Sequence, residues 1–158
     1  MNRQPNVYFV ETDISIPALG DDPLTFAEEE NNRGDYWELV GTDDEFQVIE
    51  EGIYSITATV VYNANTDPNV DRDIGAYISV SSVIIDELAL TQKRQIEKGT
   101  DPGVDFYSLS FNATLYLPAE AFVRIYVKNL LPGVQDLVIR SADTDPANYT
   151  NILVCKIY

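Results

Sequence analysis

Histidine is absent from this chain, cysteine occurs once, and lysine and arginine together number only 10 among 158 residues. Each absence removes a class of chemistry. Without imidazole, the usual nucleophilic triads and histidine-ligated metal sites cannot be assembled. The lone cysteine, Cys155, excludes an internal disulfide and thiolate clusters. It lies in the apolar run 152–157 with no imidazole to activate it, so it is expected to be a small buried hydrophobe. The formal net charge is -16. That balance opposes the neutralisation of phosphates on which nucleic-acid binding depends, and it opposes attraction to an anionic membrane surface. No apolar run approaches the roughly 20 residues that cross a bilayer as a helix. The opening Met-Asn-Arg-Gln-Pro-Asn also lacks the basic and apolar regions of a secretory signal. The expectation is a soluble protein with no nucleic-acid partner and no membrane insertion. Asn-x-Thr sequons at Asn112 and Asn148 matter only on a secretory route and are read as chance.

What is present is the material of one folded domain, with 45% hydrophobic and 23% charged residues. The chain is organised around 46–63, where Gly52 precedes a run of β-branched and aromatic residues with no proline. Alternation along a strand puts Tyr54, Ile56, Ala58, Val60 and Tyr62 on a core face, with Ser55, Thr57, Thr59 and Val61 opposite. That second face is small and carries no charge, so it is expected to be covered by another sheet or another copy of the chain. The segment 106–117 repeats the pattern, with Tyr107, Leu109, Phe111, Ala113, Leu115 and Leu117 against Ser108, Ser110, Asn112, Thr114 and Tyr116.

Around these two segments the chain reads as further short strands at 7–16, 24–26, 35–40, 74–90, 121–128, 137–140 and 151–158. In the 74–90 run the parity switches near Ser81, which implies two strands or one bulged strand. The basic stretch 90–103 reads as strand and loop, because apolar residues do not recur at helical spacing. Pro17, Gly20 and the Asp-Asp-Pro of 21–23 break the first extended piece, so residues 1–23 are expected to be an arm or edge strand, a candidate docking segment, ahead of a domain at 24–158. Thr-Asp-Pro triplets beginning at Thr66, Thr100 and Thr144 read as turns between strands, since Asp bonds its own backbone and Pro fixes φ. Many short strands with almost no helix predict an all-β, antiparallel jelly-roll sandwich of about ten strands.

Carboxylates are plentiful but fall in turn sequences, so a glycosidase pair and enzyme activity are not expected. Asp67, Asp71 and Asp73 cluster in one loop and form a candidate structural calcium site, although EF-hand spacing is missing. No other cofactor is expected.

The string LTFAEEENNRGDYWELVGTDDEFQVIEEGIYSITATVVYN resembles the opening half of the complement-one-q and tumour-necrosis-factor jelly-roll superfamily, with Phe46, Gly52 and Tyr54 at its marks. LSFNATLYL, FVRIYVKN and the final NILVCKIY resemble the second half. Pro118, Ala119 and Glu120 stand where the family usually has Lys-Gly-Asp, and no collagenous stalk is present. The resemblance implies a compact homotrimer with one sheet packed about the three-fold axis. By position along the matched strands, the axis-facing residues would be Thr57, Thr59, Val61, Ser110, Asn112, Thr114 and Val154.

The function expected is structural or adhesive: a trimeric surface protein of a bacteriophage virion, as a capsid decoration protein or fibre head, with capsid or tail proteins as partners. The alternative is a receptor- or glycan-binding head on a bacterial or spore surface, with Tyr36, Trp37, Tyr77, Tyr126 and Tyr149 as candidate sugar-stacking aromatics.

Overall fold

A computed structural model of the chain describes residues 5–29, 34–63, 72–82, 88–97, 106–130 and 136–158. The first strands are short: β1 (Asn6–Phe9), β2 (Ile14–Ile16), β3 (Asp21–Pro23) and β4 (Ala27–Glu28). A hairpin of β5 (Trp37–Val40) and β6 (Glu45–Val48) follows, and then the long β7 (Gly52–Asn63). The chain continues through β8 (Arg72–Ser81), β9 (Leu88–Glu97), β10 (Phe106–Leu117), β11 (Phe122–Asn129), β12 (Leu137–Ile139) and β13 (Asn151–Lys156). β8 and β9 pair antiparallel, with Val80 opposite Leu88, so the run 74–90 belongs to two strands. The basic stretch beginning at Leu90 continues β9 as strand.

The strands form two antiparallel sheets. One has the order β2-β12-β7-β13-β1-β4, with β10 laid along β7; the other has the order β5-β6-β11-β8-β9, with β3 on β11. The β7–β10 ladder is unbroken from Asn63↔Phe106 to Gly52↔Leu117, so the two uncharged segments lie side by side in register. Apolar residues of alternating parity meet between the sheets and form one core. Its centre is aromatic. Trp37 stacks on Phe46 at 4.7 Å, and Tyr8 meets Phe46 edge-on at 4.7 Å, geometries that ring quadrupoles favour. The result is an antiparallel jelly-roll sandwich, as the strand pattern predicts. Thirteen strands are found among the described residues, against about ten expected. Four of them are only two or three residues long, too short to show a period of two in sequence.

Of the arm or edge strand expected at residues 1–23, the described part is strand: β2 ends one sheet, and the segment as a whole contributes to both. β1 pairs with β13, β2 with β12 and β3 with β11, while Tyr8, Val10 and Ile16 are fully buried. The domain therefore has no boundary at residue 24 among the described residues. Nor is 24–26 a strand: Leu24 and Phe26 are buried in coil, and the neighbouring Asp-Asp-Pro forms β3. Proline is tolerated there because β3 is a short outlying strand and need not extend a ladder. Asn6, fully buried, holds the chain at Gly34: its carboxamide donates to the Gly34 carbonyl at 2.7 Å and accepts from the Gly34 amide at 2.9 Å.

Candidate interaction surfaces

β7 and β10 share one outward face. Opposite the buried Ile56, Ala58 and Val60, Thr57 and Thr59 stand half-buried; Ser110, Asn112 and Thr114 of β10 are exposed. They pair across the ladder as Thr57↔Asn112 and Thr59↔Ser110. Asn112 Nδ2 donates to Thr57 Oγ1 at 2.6 Å, and the Thr59 and Ser110 hydroxyls lie 3.3 Å apart. The face continues onto β13 and β1, where Leu153 sits between Thr57 on one side and Val7 on the other. None of β7, β10 or β1 contains a charged residue, and the single charge of β13, Lys156, is on the inward parity. It ends in an ion pair with Glu50 at 2.7 Å.

Two apolar groups frame this small-residue centre. At the end where β7 begins, Tyr116, Ile157 and Tyr158 are exposed beside Ile53. At the other end the loop 141–150 rises over the sheet. The Thr150 hydroxyl accepts from the Val61 amide at 2.9 Å and donates to the Val61 carbonyl at 3.1 Å, which pins the loop to β7. Between loop and sheet lies a groove of about 320 Å³, with Val61 and Phe106 on its sheet side and Tyr149 on its loop side.

No protein-family model matches this chain, and no curated protein matches it. Solved structures do match. Eiger TNF from S. frugiperda aligns with a TM-score of 0.71 at 14% identity, covering 100% of this chain and 94% of that one. Murine APRIL at pH 5.0 aligns with a TM-score of 0.69 at 13% identity, covering 97% of this chain and 98% of that one. The chain has the tumour-necrosis-factor jelly-roll fold. At such identity the likeness is one of fold, and function has to be argued from the surfaces of this jelly roll.

Of the residues the sequence assigns to an axis, the jelly roll directs Thr57, Thr59, Ser110, Asn112 and Thr114 outward on one surface. Val154 is corrected. It is fully buried and accepts a hydrogen bond from the Tyr36 hydroxyl at 3.1 Å, so β13 instead presents Asn151, Leu153 and Cys155. Cys155 is therefore half-exposed on this face, not a core residue. Val61 keeps its outward parity but is covered by its own loop. Val7 and Phe9 belong to the same face and were not anticipated, because the sequence reading set β1 apart from the domain.

The aromatic candidates separate. Tyr36 and Trp37 lie between the sheets, buried to 0% and 2% exposure, and are core residues that no sugar could stack upon. Tyr77 and Tyr126 lie on the outward face of the other sheet as a cross-strand pair, stacked at 5.0 Å with planes 3° apart. Both are already engaged. The Tyr77 hydroxyl donates to Asp21, Lys128 Nζ sits 4.9 Å from the Tyr77 ring centre, and Arg124 reaches the Tyr126 hydroxyl. Arg124 also pairs with Glu45 at 2.6 Å. The hydrogen bond to the Tyr126 hydroxyl and the nearby Glu45 and Asp44 carboxylates raise the affinity of Arg124 for its proton, against the opposing effect of its burial. This second sheet thus has the charged, mixed surface usual for solvent. Tyr149 lines the groove between the loop 141–150 and the sheet.

Asp73 lies on β8, whereas Asp67 and Asp71 of the candidate calcium loop lie outside the described residues. Among the described residues no group of three acidic or sulfur side chains gathers as metal ligands, and no helix is long and apolar enough to cross a membrane.

Proposed function

We propose that this protein is a non-enzymatic interaction module that assembles as a homotrimer, three copies packing the outward face of the β7–β10 sheet around a three-fold axis. One observation carries the reading: in a chain of net charge -16, the outward face built by β1, β7, β10 and β13 has no charge. Exposed faces and edges normally carry Lys or Glu to resist unwanted pairing. β10 sharpens the point, because it is a twelve-residue strand whose described ladder is with β7 alone. Small side chains let a symmetric neighbour approach closely, and the exposed Tyr116, Leu153 and Ile157 supply apolar area to bury. The opposite sheet, with Arg124, Lys128, Asp21 and Glu45, remains in solvent and is the face presented outward.

The setting we favour is the surface of a bacteriophage virion, as a decoration protein or fibre head. Support comes from composition: strong acidity keeps particles apart, and the chain has no histidine and a single cysteine. Docking through residues 1–23 is not part of this proposal, since most of that segment is built into the sandwich. The test uses Leu153→Asp, examined by native mass spectrometry. Wild type is expected as three chains and the variant as one. A wild type of one chain, or a variant still of three, contradicts the assembly. Particles that lack the protein after purification contradict the setting.

A further inference from the structure

We infer that the groove between loop 141–150 and the β7–β10 sheet is a binding site for a neutral sugar residue. The groove shares Thr59 with the face proposed for assembly, so the inference requires that the three copies meet toward the start of β7, at Tyr116, Leu153 and Ile157, and leave this loop end open. The lining has the chemistry of such a site. Tyr149 and Phe106 supply aromatic rings for the apolar face of a pyranose, with Arg140 already over Phe106, while Thr59, Ser108, Asn148 and Asn151 add hydroxyls and carboxamides. No charged side chain lines the groove, and the net charge of -16 repels sialylated or sulfated glycans. A cationic ligand would find no carboxylate there.

The groove is preformed. Asp145 Oδ1 accepts from the backbone amides of Ala147 and Asn148, at 3.1 and 3.2 Å. Arg140 pairs with Asp145 and lies 5.1 Å from the Phe106 ring centre, and the Thr150 hydroxyl is fixed to Val61 from both sides. Phe9 meets the Tyr149 ring edge-on at 6.2 Å. Tightly held backbone thus presents two side chains whose own groups are unspent: the Asn148 carboxamide and the Tyr149 hydroxyl have no hydrogen-bond partner among the described residues. Little ordering is lost when a ligand enters so rigid a site. At about 320 Å³ the groove is at the small end of ligand pockets, suited to one ring and not to a long chain.

The experiment titrates the full-length protein with galactose, fucose, glucose and N-acetylglucosamine, and with sialic acid as the charged control. Binding is followed by saturation-transfer NMR and by amide shifts. At least one neutral sugar is expected to bind saturably and shift the amides of residues 108 and 148–151, with no response to sialic acid. Tyr149→Ala should weaken that sugar by about tenfold, the loss of a ring contact. Tyr149→Phe, which preserves the packing on Phe9, should weaken it less and guards against misfolding as the cause. Solution mass is read on the same samples, so binding by a single chain would sink the trimer and spare the groove. If no neutral sugar binds, if shifts fall elsewhere, or if Tyr149→Ala leaves affinity unchanged, the groove is not a sugar site. Shifts at residues 148–151 that follow protein concentration and not sugar would assign the groove to a second copy of the chain, and overturn the inference.

Discussion

Asn112 of β10 donates its side-chain amide to the Thr57 hydroxyl of β7 at 2.6 Å, on the outward side of a ladder whose inward side is the core. Two short polar side chains therefore satisfy each other across the strands and leave a low, uncharged surface. Partnered polar groups of this kind can be taken out of water at small cost, whereas an unpaired charge taken out of water costs on the order of several kcal/mol.

Thr57→Lys should consequently separate the copies without unfolding them. Three ammonium groups would converge near the axis, while in one chain the lysine would extend from a half-buried outward position into water. Sedimentation velocity should show the trimer replaced by single chains, with the β-sheet circular dichroism unchanged. An assembly that survives the substitution places the interface elsewhere.

Much of this architecture is legible in sequence, and the limits have physical causes. β7 and β10 are long, uninterrupted and alternate cleanly, so both their extent and their buried parity can be read directly. In β13 both parities are apolar, and Lys156 marks the wrong one as outward: it lies on the inward parity near the strand end and reaches Glu50. Asp21–Pro23 has the composition of a turn and becomes a strand only because β11 lies beside it, with Tyr77 holding Asp21. Tyr36 and Trp37 are adjacent, so alternation would expose one of them. Tyr36 escapes because it precedes β5 and spans to the Val154 carbonyl. The groove brings together residues 59, 106 and 149, which no local pattern connects.

Gly52 joins the start of β7 to the end of the chain. A Cβ there would clash with the Tyr158 carbonyl oxygen, the same oxygen that accepts from the Ile53 amide at 3.0 Å. Gly52→Ala must push that segment away, and should destabilise the fold by about 1–3 kcal/mol. Chemical denaturation should register a lower midpoint with an unchanged slope. Wild-type stability in the variant would mean that residues 157–158 do not pack there.

Asp13 supplies an acid-sensitive contact. Its partial burial favours the neutral form, but the Ser141 hydroxyl and amide, the Thr144 hydroxyl and the Arg140 charge together outweigh this and hold its carboxyl below the ordinary range. The Ser141 bonds are 2.6 and 2.9 Å. A depressed native value means the contribution is complete above the unfolded pKa and lost as pH falls through the folded one. Because the group is exposed, the effect is at most about 1 kcal/mol. Asp13→Asn should lower the melting temperature at pH 7 and converge with wild type under strong acid. Parallel curves down to low pH would contradict this role.

The solution mass of the purified protein, from light scattering coupled to size exclusion at neutral pH, tests the central claim most directly. One chain weighs 17.7 kDa. The account predicts a single species of three times that mass, constant on dilution. A species of 17.7 kDa would contradict it, and would leave the charge-free face of β7 and β10 exposed to water.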